Sequence, residues 1–88
     1  MSHVFHVNIL TVDKTVYEGM ISSLQAPGEI GYLGVLANHI PLVTTLVPGK
    51  ITVKDDSGQT KVFHSKGKGF LEVVKNDATI LLDSSDAL

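Results

Sequence analysis

The sequence predicts an all-β domain, a sandwich or barrel of eight or so short strands. Three observations carry this. β-branched residues abound, with eleven Val, six Ile and seven Thr against four Ala, a balance that favours strands over helices. Gly and Pro recur from Gly19 through Pro27-Gly28, Gly31, Gly34, Pro41, Pro48-Gly49 and Gly58 to Gly67 and Gly69, cutting the chain into pieces of strand length. Several of those pieces alternate apolar and polar residues, as a strand with one buried and one wet face must.

Taken in order, Phe5, Val7 and Ile9 share one face of a first strand, with His6 and Asn8 on the other. Lys50-Ile51-Thr52-Val53-Lys54 alternates strictly and points Ile51 and Val53 inward. Asp55-Asp56-Ser57-Gly58 is turn chemistry, and Thr60 to His64 then completes a hairpin. Phe70 to Val74 and Thr79 to Leu82 read as a second hairpin joined by Asn76-Asp77. The run Thr79-Ile80-Leu81-Leu82 does not alternate, so it is expected to be covered on both sides.

Composition narrows the function classes. Eighty-eight residues make one domain, spanning 1–88, with no internal repeat, and with no cysteine no disulfide can reinforce its core. Seven Lys, no Arg and a net charge of −2 give no basic patch for nucleic acid. No apolar run approaches the roughly 18–20 residues that span a bilayer. The N-terminus lacks the basic-then-apolar order of a signal peptide. A soluble, intracellular chain is expected.

Candidate chemistry is sparse. His3 and His6 point to opposite faces of a strand, and His39 and His64 lie far off, so no metal-ligand spacing appears and no metal is expected. Gly28-x-x-Gly31-x-x-Gly34 fits neither the dinucleotide nor the Walker spacing; turn glycines, supplying positive φ or close approach, account for it better. No Ser sits in a nucleophile elbow. Asp55-Asp56 falls in a turn, the usual place for solvated acids. The residues by themselves describe an interaction module with no catalytic residues and no cofactor.

The stretch from Gly28 to Gly49 says more. Its core, Gly31-x-Leu33-Gly34-Val35-Leu36-x-x-His39-x-Pro41-Leu42 followed by Pro48-Gly49, resembles the signature of F-type ATP synthase epsilon subunits. Phe5 to Leu10 resembles that family's opening strand, and Val16-Tyr17-Glu18-Gly19 its aromatic-polar-Gly turn. Gly69 to Val73 and Thr79 to Asp83 resemble its closing strands. Ala37 stands where members often carry Pro. The helical hairpin that follows the sandwich in many members is not seen, so its inhibitory role is not carried over.

The resemblance implies a flattened antiparallel sandwich of about ten short strands in two sheets. It implies a non-catalytic part of the rotating central stalk of a proton-translocating ATP synthase, with the gamma subunit and the ring of membrane c subunits as partners. A peripheral position on the cytoplasmic face of a bacterial plasma membrane, or an organellar equivalent, would follow. Glu29, Ile30, Gly31 and Tyr32 are expected at the c-ring interface; Tyr32 offers the rigid amphipathic surface common at interfaces. His39, Pro41 and Leu42 are expected at or beside the gamma interface, with His39 either bonding across its loop or simply exposed. The alternative from another class is a free-standing small-ligand-binding sandwich. It would need exposed aromatics or ligand-spaced histidines, and the sequence shows neither.

Overall fold

A computed structural model describes residues 3–83, so the ends of the expected 1–88 domain lie outside the described residues. Eight strands follow one another: β1 (Phe5–Leu10), β2 (Thr15–Gly28), β3 (Gly31–Leu36), β4 (Leu42–Leu46), β5 (Gly49–Asp55), β6 (Thr60–Ser65), β7 (Gly69–Val74) and β8 (Asp77–Leu82). There is no helix among the described residues. The count is eight rather than about ten. One reason is β2, which runs unbroken for 14 residues.

That long strand organises the molecule. Its first half pairs antiparallel with β1, from Phe5↔Ile21 to Leu10↔Thr15. Its second half pairs with β3 on one side and with β5 on the other. A register shift between Ile21 and Ser23 marks where it passes from one layer to the next. One layer is therefore β4-β7-β8-β1 with the start of β2, and the other is β3-β2-β5-β6. Val16 to Gly19, expected at a turn, lies inside β2, with Gly19 opposite Val7.

Between the layers lie Phe5, Val7 and Ile9 of β1, Ile21, Leu24 and Ala26 of β2, and Val35 of β3. Leu46, Ile51, Val53, Leu71, Val73, Ala78, Ile80 and Leu82 complete the core. The shortest principal extent, 20 Å, fits two sheets stacked about 10 Å apart. Tyr17 and Phe63 cap one side of this core, their rings 5.6 Å apart, with the Lys61 ammonium over Tyr17.

Both expected hairpins form. At the β5–β6 turn, Asp55 Oδ1 accepts the Ser57 N–H, the Gln59 N–H and the Ser57 hydroxyl, at 3.0, 2.9 and 2.7 Å. These bonds, that of the Ser57 hydroxyl foremost, hold the Asp55 carboxyl below its ordinary pKa. At the β7–β8 turn the two loop residues are Lys75 and Asn76, at φ 50° and 61°, one position earlier than the sequence suggested. Two residues with positive φ match the twist of the strands they join, and Asn tolerates that region well. The structure also corrects the expectation that Thr79 to Leu82 is covered on both sides. Leu81 is 43% exposed, while Ile80 and Leu82 face the core. Its hydrophobicity belongs to an exposed face, described next.

Candidate functional site

Two surfaces stand out, and both follow from strand register. The first is the tip of the β2–β3 hairpin. Gly28 faces Gly31 across a two-residue loop of Glu29 and Ile30. Gly31 sits at φ 136°, a backbone conformation that L side chains rarely adopt. A Cβ on Gly28 would approach Leu33 Cδ2 to 2.9 Å, whereas one on Gly34 would meet nothing closer than 4.0 Å. The motif's three glycines thus have three different situations, and only Gly31 requires glycine for its backbone angle. Ile30 projects from the loop with its side chain wholly in solvent, at 104% relative exposure.

The tip is tied to the β4–β5 segment. Leu46 pairs with Gly28. The Val47 N–H donates to the Pro27 carbonyl at 2.9 Å. The Thr45 hydroxyl donates to the Glu29 carboxylate. The Lys50 N–H donates to the Tyr32 hydroxyl at 3.0 Å. Tyr32, expected as a free contact, is 53% exposed and spends its polar end inside the domain.

The second surface is the outer face of the β4-β7-β8-β1-β2 layer. Residues in register share a face. One row runs Thr45, Phe70, Leu81, Leu10. The next runs Val43, Glu72, Thr79, Asn8, Glu18, and the third Val74, Asp77, His6, Met20. Phe70, Leu81, Val74, Met20 and Val43, the last 71% exposed, make this face apolar. Glu18, Glu72 and Asp77 make it acidic. The opposite outer face differs: Ser23, Gln25, Lys50, Thr52, Lys54, Thr60, Val62 and His64 lie in its β2-β5-β6 rows, which carry no carboxylate, and Leu36 of β3, 64% exposed, lies opposite Ser23.

The single cationic group in the acidic rows is His6. Its Nδ1 lies 3.0 Å from Asp77 Oδ1 and its Nε2 lies 3.0 Å from Glu18 Oε2. A neutral imidazole has one N–H and can satisfy one carboxylate; the imidazolium satisfies both. The Asp77 bond, then the Glu18 bond, therefore raise the His6 pKa above 6.5. A folded-state pKa above the unfolded one contributes stability that is fully present below about pH 6.5 and is lost as pH rises through the raised value. The expected contribution is on the order of 0.2–1 kcal/mol, because the pair is solvent-screened. Denaturant melts of the parent and of His6→Gln should therefore differ at about pH 5.5 and converge at about pH 9. An unchanged difference across that range would rule the ion pairs out as its source.

The β3–β4 loop closes the far end of this face. Asn38, at φ 65°, donates its N–H to Asn76 Oδ1 at 2.6 Å and accepts from Asn76 Nδ2 at 3.1 Å. Two left-handed turns are thereby clasped together. His39 does not bridge its loop in this way. It is half-buried, and its Nδ1–H donates to the adjacent Ile40 carbonyl at 2.7 Å. Pro41 is exposed, and Ile40 beside it is 75% exposed. Leu42 packs against the core opposite Val73, so it supports the surface from beneath instead of forming it. The clasp of Asn38 with Asn76 and the carboxylates around His6 escaped the sequence reading. Asn38 and Asn76 lie 38 residues apart, and His6 and Asp77 lie 71 apart, too far for any spacing rule to connect.

No three His, Asp or Glu side chains among the described residues converge on a metal-sized position. A shallow apolar cleft of about 320 Å³, lined by Val12, Thr45, Phe70 and Leu81 among others, merges with the outer face.

Residues 4–86 match the family model described as the ATP synthase delta/epsilon chain, β-sandwich domain. The chain belongs to this family. Among curated relatives, the ATP synthase epsilon chain of Caulobacter vibrioides is 44% identical over 78 residues, 89% of this chain and 88% of the relative. That of Dichelobacter nodosus is 39% identical over 85 residues, 97% of this chain and 59% of the relative. The chain thus spans about three-fifths of the longer epsilon chains it matches. Two solved assemblies contain chains of the same fold. One is the Euglena gracilis mitochondrial ATP synthase, OSCP/F1/c-ring, with a TM-score of 0.86 at 20% identity over 96% of this chain and 53% of that one. The other is the central stalk and c-ring of the Tetrahymena thermophila enzyme, with a TM-score of 0.74 at 18% identity over 90% of this chain and 63% of that one. At these identities the likeness establishes the epsilon-type sandwich fold.

Proposed function

We propose that this epsilon-family domain is a non-catalytic coupling element of the central stalk of a rotary, proton-translocating ATP synthase. It joins the gamma subunit to the c-ring, so that rotation driven by ion flow reaches the catalytic head without slip. The observation that carries the reading is the placing of two distinct surfaces on one stiff sandwich. The apolar, acidic outer face has the character of a docking surface, and the braced tip with Ile30 stands at one end of it. A molecule that transmits torque needs two such interfaces and little internal give.

In this reading the outer face meets gamma, extended by Ile40, Pro41 and His39 at the clasped end. The partner patch it fits is apolar with basic groups at its rim. The hairpin tip, Glu29 to Tyr32, meets the ring. The domain then lies peripherally at the cytoplasmic face of a bacterial plasma membrane, held there by its partner subunits.

The test is binding to purified gamma subunit, by calorimetry and co-elution. A one-to-one complex is expected. A folded domain that fails to bind gamma would remove the proposal and leave only the fold.

A further inference from the structure

We infer that Tyr32 and Gly49 form a latch that holds the hairpin tip rigid, so that Ile30 meets its partner as a fixed apolar knob. This deepens the ring-facing role proposed above and rests on that reading.

Ile30 is in the wrong place for a mere connector. Turns are normally filled by polar residues, Gly and Pro. Ile30 meets no backbone strain, because Gly31 takes the positive φ, but a fully exposed β-branched apolar side chain at a hairpin tip departs from that polar pattern. No described residue covers its side chain. A residue that breaks a local rule without an internal gain marks a functional position. Glu29 beside it is exposed and keeps its charge, but the Thr45 hydroxyl holds its carboxylate toward β4, so Ile30 is the side chain that projects free of the domain. Its partner must supply an apolar socket.

A knob docks well only if its backbone is fixed beforehand, since ordering a loop on binding costs affinity. The latch supplies that. The Tyr32 side chain crosses from β3 to the start of β5, where its hydroxyl receives the Lys50 N–H. It passes over Gly49, where a Cβ would stand 2.8 Å from the Tyr32 hydroxyl and 2.9 Å from Pro27 Cβ. Only glycine leaves that notch open. The Pro48-Gly49 at the end of the sequence motif and the Gly28 to Tyr32 at its beginning are therefore two halves of one contact. Tyr32 is a positioning residue here, and Ile30 is the contact.

The test measures affinity of the full chain for a detergent-solubilised assembly of gamma and c-ring, with amide hydrogen exchange of the free chain. Ile30→Asp should lose about thirtyfold or more, as a central apolar contact does. Tyr32→Phe keeps the ring and removes one hydrogen bond; it should lose about threefold to tenfold. Its faster exchange should be confined to residues 29–31 and Lys50. Thr45→Val, which frees Glu29, should act in the same direction if Tyr32→Phe folds poorly. Ser22→Ala is the control, because it deletes a comparable hydroxyl bond, to the Lys54 carbonyl at 3.2 Å, away from the tip. Parent affinity in both Tyr32→Phe and Thr45→Val, or an equal loss in Ser22→Ala, overturns the latch. Parent affinity in Ile30→Asp overturns the ring-facing reading itself.

Discussion

Replacing Ile80 by alanine should lower the unfolding free energy by about 2–5 kcal/mol, the cost of a large-to-small change at a fully buried site. Ile80 has no solvent exposure and sits mid-strand in β8, between Ile9 of β1 and Leu71 of β7. All three side chains point into the space between the layers, so the void left by the missing atoms has packed neighbours that cannot easily collapse into it. A domain of this length has in total about 4–13 kcal/mol to lose, at roughly 0.05–0.15 kcal/mol per residue. The substitution should therefore remove a large fraction of its stability. Urea denaturation followed by far-ultraviolet circular dichroism reads the effect directly. Leu81→Ala, one residue on and facing outward, should cost less than about 1 kcal/mol, in the range of surface changes. Equal losses at the two positions would contradict the alternating burial of β8.

Truncating Phe70 to alanine should weaken binding to the gamma subunit by about thirtyfold or more, as for an aromatic anchor at an interface centre. Phe70 lies in the row with Thr45, Leu81 and Leu10, lines the cleft together with Val12, and is the largest side chain on that face. It is more than half exposed, so the folded domain loses little when it is removed. Val62→Ala, on the opposite lysine-bearing face, is the matched comparison and should leave affinity unchanged. The reverse result, with Val62 sensitive and Phe70 silent, would assign the gamma interface to the other sheet.

The two faces are also where sequence reading succeeds and stops. Alternation placed Ile51, Val53, Phe5, Val7 and Ile9 inward, because a strand's side chains have a period of two whatever it pairs with. Turn chemistry located both hairpins, because Asp55, Gly58 and Asn76 act through bonds and backbone angles within a few residues. The motif from Gly28 to Gly49 identified the family, and Gly28 and Gly31 marked the hairpin tip, whereas Gly34, read as a turn glycine, lies inside β3.

What only the tertiary structure decided is which strands meet. Parallel pairing of β1 with β8 joins residues about seventy apart, and nothing in either strand names the other. β4 finds β7 in the same way, and β8, seated between β7 and β1, puts Leu81 in a row with Phe70 and Leu10 on an exposed apolar face and not in the core. The imidazole of His6 gains its two carboxylates only because Asp77 and Glu18 arrive from different strands. The Tyr32 hydroxyl reaches the Lys50 N–H only because β5 begins at a glycine that lets it in. Period, turn and motif are local properties carried by the chain itself. Partner choice is a property of the whole core, settled when one arrangement buries every apolar face that can be buried.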